Sequence, residues 1–137
     1  MNEVNVLCVD DNPYVAEALR IKLSRTDGFA WKGWAEDADS LLAMSRKSCA
    51  SLVILDLDMP GKDPFDATEE LQSICPNCRV VVFSGHVRKD LIDRAVQAGV
   101  WGYVAKSDGE DALIDAMCKV AEGEFALSPE VRATYDR

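Results

Sequence analysis

The sequence predicts an α/β fold, an open parallel sheet with helices on both faces. Three observations lead there. Strand-like and helix-like patterns alternate along the whole chain. Several strand candidates are short, continuous apolar runs, as expected of strands buried on both faces rather than one. The boundaries between patterns carry the residues that start and stop helices. The strand candidates are Val4–Val9, Phe29–Ala35, Leu52–Asp56, Arg79–Ser84 and Trp101–Ala105. Helical periodicity fills Pro13–Arg25, Asp37–Lys47, Pro64–Ile74, Arg88–Ala98 and Asp108–Ala121. Asn12-Pro13 reads as an N-cap followed by a first-turn proline, and Ala98-Gly99 as a helix that stops on glycine. Five such strand–helix units build a doubly wound, five-stranded parallel sheet. The segment after residue 122 shows no sixth strand, although Ser128-Pro129-Glu130 can open a short extra helix.

The chain has 137 residues, the size of one domain. Its 48% apolar content suffices for a globular core. No apolar stretch approaches a membrane span and no signal-peptide layout opens the chain, so the expected location is cytoplasmic. The net charge of −9 argues against this domain gripping nucleic acid itself. The cysteines are Cys8, Cys49, Cys75, Cys78 and Cys118. Their odd count favours reduced thiols. The Cys75–Cys78 pair has CxxC spacing but precedes a strand, and the single histidine, His86, gives it no second ligand pair. It reads as an ordinary loop.

Two apolar runs end in aspartate: Val4–Val9 runs into Asp10-Asp11, and Leu52–Leu55 into Asp56. The fourth strand delivers Ser84 at its carboxyl end, and the fifth delivers Lys106. In a doubly wound sheet ligands gather at the carboxyl ends of the strands, so these groups are expected in one crevice. Crowded carboxylates call for a cation or a reaction. Oxygen-only acidic ligands suit a hard cation, Mg²⁺ (or Mn²⁺). A carboxylate is also a competent nucleophile towards phosphorus. The expected roles are therefore Asp56 as phosphoryl acceptor, Asp10 and Asp11 with Asp56 as metal ligands, Lys106 as partner of a phosphoryl oxygen, and Ser84 as hydrogen-bond donor. Each residue alone has a plainer reading: helix-opening acids at Asp10 and Asp11, turn chemistry at Ser84, a solvated lysine at Lys106. The specificity lies in four strand ends with compatible chemistry.

Asp10-Asp11, Asp56 within LDLDMPG, Ser84-Gly85 and the segment Gly102-Tyr103-Val104-Ala105-Lys106 resemble the receiver domain of bacterial two-component response regulators. The resemblance covers about residues 3–122. It implies a flavodoxin-like sheet in the order 2-1-3-4-5 and phosphorylation of Asp56 by a histidine kinase or a histidine phosphotransfer protein. It further implies that Asp58 lends a backbone carbonyl to the metal. Ser84 and Tyr103 become a switch pair that remodels the surface of the fourth helix, fifth strand and fifth helix, where a second copy or an output partner would dock. Residues 1–122 are then the phosphoacceptor domain, and 123–137 a tail or the start of a linker helix. GYVAKS and Leu127-Ser128-Pro129-Glu130 resemble the NarL/FixJ branch, whose DNA-binding output domain would lie outside this chain. The family usually has proline, in a cis bond, where Ser107 follows Lys106. Asp58 and His86 are candidates to tune the phosphoryl lifetime. Trp101, expected on the same face of an edge strand as Tyr103, is a candidate partner contact. Two alternatives stand beside this reading: a haloacid-dehalogenase-like phosphatase using Asp56 and Asp58, and a pseudo-receiver that binds partners without taking phosphate.

Overall fold

The structure is a computed structural model that describes residues 3–137, so the first two residues of the expected 1–122 unit lie outside the described residues. The strands are β1 (Val4–Val9), β2 (Phe29–Ala35), β3 (Leu52–Leu55), β4 (Arg79–Ser84), β5 (Gly102–Ala105) and β6 (Ala126–Leu127). The helices are α1 (Pro13–Ser24), α2 (Leu41–Ser48), α3 (Pro64–Ile74), α4 (Lys89–Ala98), α5 (Gly109–Ala121) and α6 (Pro129–Asp136). The sheet is parallel throughout, in the order β2-β1-β3-β4-β5-β6.

Successive strand side chains point to opposite faces, and each face has its own core. Leu7, Val9, Val53, Leu55, Val80, Val82 and Tyr103 pack with Leu41, Phe65, Leu71 and Ile92 from α2, α3 and α4. Val6, Cys8, Leu52, Ile54, Val81, Phe83 and Val104 pack with Leu19 and Leu23 of α1 and Leu113, Met117 and Val120 of α5. This two-sided burial is why the strands read as unbroken apolar runs. The start and stop signals operate as read. Asn12 accepts a bond from the Tyr14 N–H ahead of α1, with Pro13 in the first turn. Asp63 accepts from Phe65 ahead of α3, and Gly99 closes α4 at φ +100°.

Three expectations are corrected. The sheet has six strands rather than five. Ala126 N–H donates to the Trp101 carbonyl and Ser128 N–H to the Tyr103 carbonyl, each at 3.1 Å, which adds β6 to the open side of β5. A two-residue strand carries no periodicity, so its pairing is visible only in three dimensions. Nor does Trp101 share the face of Tyr103. Its backbone is paired on both sides, but the chain bends there before β5 starts at Gly102, so the period of two does not carry through it. Trp101 packs with the α1–α5 core, and the Arg79 guanidinium lies 4.5 Å from its ring centroid. The expected second helix is also divided: a single 3₁₀ turn (Ala38–Ser40) precedes α2. The Ser128-Pro129 start of a further helix is α6, anchored by the fully buried Val131.

Candidate functional site

At the carboxyl edge of the sheet, β1 runs into Asp10 and β3 into Asp56. Asp10 N–H donates to Ala35, and Asp56 N–H donates to the Val9 carbonyl at 2.9 Å. Pairing therefore persists one residue past each strand, which draws both carboxylates inside: Asp10 is 2% exposed and Asp56 4%. Asp10 is fully engaged. Its Oδ1 accepts from Asn12 N–H at 2.9 Å, its Oδ2 from Lys106 Nζ at 3.1 Å, and its carbonyl from Trp34 Nε1 at 2.5 Å. Lys106 Nζ also lies 3.5 Å from Asp56 Oδ1. Asp11, next along the chain, is exposed.

The electrostatics follow from this packing. Burial, reinforced by Asp10, pushes the Asp56 carboxyl up to about 6, and Lys106 and the Asp58 N–H offset only part of that. Burial draws the Lys106 ammonium down, but Asp56 and Asp10 more than compensate and leave it raised. One carboxylate oxygen from each of Asp10, Asp11 and Asp56 lies within 4.8 Å of the others. Three hard oxygen donors beside a cavity of about 260 Å³, lined also by Asn12, Asp58, Gly85, His86 and Lys106, fit a small divalent cation that keeps several of its waters. Among the described residues this is the one acidic, histidine or cysteine cluster with metal-binding spacing. The CxxC pair joins no such cluster. Cys78 is buried, with its thiol pushed up to about 12, and all five cysteines are free.

Ser84 and Tyr103 meet through one backbone. His86 N–H donates to Ser84 Oγ at 3.0 Å, and the Tyr103 hydroxyl donates to the His86 carbonyl at 2.5 Å. Both side chains are buried, Tyr103 with its ring turned inward and its hydroxyl raised to about 12 by that burial. The His86 side chain is exposed at the cavity mouth, its Nε2 3.5 Å from Asp58 Oδ2. The Lys106–Ser107 peptide is trans. Sequence reasoning missed two contributors. Trp34 holds the Asp10 carbonyl, and its place at the end of the strand beside β1 was the available signal. Ser128 Oγ accepts from Ala105 N–H at 2.9 Å, which depends on β6 and left no trace in the residue pattern.

The family model described as the response regulator receiver domain matches residues 6–118. The chain belongs to this family. It is a receiver domain of two-component response regulators, a phosphoaccepting signalling module rather than a turnover enzyme. Receiver domains bind Mg²⁺ at an acidic pocket and work with histidine kinases. Among its relatives are the transcriptional regulatory protein MctR of Rhizobium johnstonii, 31% identical, with 94% of this chain and 60% of that protein covered. The response regulator GacA of Pseudomonas aeruginosa is 29% identical, with 93% and 60% covered. A LuxR-family two-component response regulator from Aurantimonas sp. superposes with a TM-score of 0.92 at 28% identity, covering 98% of this chain and 96% of that one. This receiver domain thus spans about 60% of the length of those two curated relatives. No helix among its described residues is long and apolar enough to cross a membrane.

Proposed function

We propose that Asp56 is the phosphoacceptor of this receiver and takes its phosphoryl group from a histidine kinase or histidine phosphotransfer protein. The observation that carries this reading is the placement of Asp56: a buried carboxylate with a raised pKa, 3.5 Å from an ammonium and within one cavity with Asp10 and Asp11. A carboxylate Oδ of Asp56 attacks phosphorus, the P–N bond to the donor imidazole breaks, and the imidazole nitrogen keeps the electron pair. The product is a mixed anhydride, aspartyl phosphate. Asp10, Asp11 and Asp56, with the Asp58 carbonyl, would hold Mg²⁺ (or Mn²⁺), which when bound neutralises charge on the phosphoryl oxygens. Lys106 gives its ammonium to another of those oxygens.

Ser84 is the sensor of this added charge. Its hydroxyl now serves as acceptor for His86 N–H, and turning towards a phosphoryl oxygen releases that bond. Tyr103 grips the carbonyl of the same residue, so the hydroxyl and the buried ring move as a pair. The change reaches the α4–β5–α5 face, where an output partner or second copy would dock and part of which α6 now overlies. Trp101, packed beneath α5, reports on that face rather than forming its centre. Water attack on the acyl phosphate returns Asp56, and Asp58 and His86, at the mouth, set how readily water enters. Residues 1–122 carry the phosphoacceptor machinery, and 123–137, which add β6 to the sheet and pack α6 against α4 and β5, are a tail or the start of a linker helix. Any DNA contact would belong to an output domain, since this domain carries −9, and a histidine kinase donor supports a cytoplasmic location.

Incubation with Mg²⁺ and a small phosphodonor tests this reading. Intact-mass measurement is expected to show one phosphoryl group per chain, lost only as fast as water attacks the acyl phosphate, and no hydrolysis of a phosphate ester, which a phosphatase would turn over. An unmodified chain, or steady turnover of a phosphate ester, would overturn it.

A further inference from the structure

Three bonds tie residues 105–108, which flank Lys106, to residues 128–130 of the C-terminal segment. Ala105 N–H donates to Ser128 Oγ at 2.9 Å. Ser107 Oγ donates to the Glu130 carboxylate. Glu130 N–H donates to Asp108 Oδ2 at 2.9 Å. The ladder explains the first. Ser128 N–H continues the β5–β6 pairing to the Tyr103 carbonyl, but Pro129 then turns the chain into α6. The next N–H along β5, that of Ala105, loses its ladder partner, and the Ser128 hydroxyl replaces it inside the protein, where an unpaired N–H is costly. Ser128 stands at the N-cap position of α6 yet makes no capping bond there. Asp108, from the lysine loop, accepts from the first turn of α6 instead. The two segments thus satisfy each other's stranded backbone groups, and the Lys106 side chain projects from between these ties to Asp10 and Asp56.

We propose that Ser128 and Glu130 are positioning residues for phosphoryl transfer: the β6–α6 segment clamps the loop that aims Lys106. Receivers usually stiffen this loop with proline after the lysine. Here Ser107 occupies that position, and its hydroxyl is one end of the clamp. The inference rests on the assignment of Lys106 to a phosphoryl oxygen. Neither Ser128 nor Glu130 touches the acid cluster, so the clamp governs transfer without governing cation binding.

The test compares Ser128→Ala, Glu130→Ala and Lys106→Ala with the unaltered chain, reading the phosphorylation rate with a small phosphodonor and, by calorimetry, the Mg²⁺ affinity. Leu23→Ala, in the core on the far face of the sheet, controls for lost stability. Losing one such hydrogen bond is expected to slow Ser128→Ala about fivefold at saturating Mg²⁺, with Mg²⁺ affinity unchanged and the rate restored in Ser128→Thr. Glu130 is exposed, so Glu130→Ala keeps its fold and is expected to slow as well. Rates equal to the unaltered chain in Ser128→Ala and Glu130→Ala, with Lys106→Ala slow, would overturn the clamp and leave the site assignment standing. A loss in Ser128→Ala matched by Leu23→Ala would also overturn it. An unslowed Lys106→Ala would remove the assignment itself, and the clamp with it.

Discussion

The Asp56 carboxyl is pushed up to about 6 by its burial and by Asp10, against an ordinary 3.8 in the unfolded chain. The folded protein therefore holds this proton more tightly than the unfolded one. The stability this contributes is complete below pH ~4 and is lost as the pH rises through about 6. Asp56→Asn removes the cost. In metal-free buffer at pH 7 it is expected to raise the unfolding free energy by about 1–3 kcal/mol, with little change at pH 4. Denaturant unfolding at the two pH values checks this, and a variant no more stable at pH 7 would contradict it. At this scale the residue types at the strand ends were legible, because a buried run that stops on a charged residue marks its own terminus. Partnerships were not. Trp34 on the Asp10 carbonyl and Ser128 on Ala105 N–H depend on neighbours far away in sequence.

Among the elements, β1, β2 and β4 and helix α3 fall on the residues that their runs and caps indicated, because sheet burial and N-capping leave local marks. The strand that sequence reading lost, β6, is two residues long and carries no pattern. The expected helix over 37–47 is present as α2, but it is entered through a 3₁₀ turn capped by Asp37. The fit of β6 against β5 is tight at Gly102. A Cβ there would stand 3.3 Å from the Ala126 carbonyl oxygen, from a Val120 methyl and from a Val81 methyl. Backbone on one side and packed core on the other leave no room to yield. Gly102→Ala is expected to cost about 1–3 kcal/mol by overpacking. Chemical denaturation measures it, and a neutral substitution would show that β6 docks more loosely than the structure has it.

Over the whole molecule, the parallel order leaves one sheet edge at which β1, β3, β4 and β5 all end, and the cavity with Asp10, Asp11, Asp56 and Lys106 opens there. That convergence follows from topology, which is why an alternation of strands and helices was enough to expect it. How the C-terminal segment lies was not legible, since it depends on which strand edge stands open once the sheet has formed. The central claim is that the carboxylate of Asp56, among the several acids of this cavity, takes the phosphoryl group. Borohydride reduction of the phosphorylated chain, followed by tandem mass spectrometry of its peptides, tests it most directly, because an acyl phosphate is reduced to the alcohol at the residue that bore it. The reduced residue is expected at position 56 alone, and none in Asp56→Asn. Reduction at Asp10, Asp11 or Asp58, or a label that survives in Asp56→Asn, would contradict it.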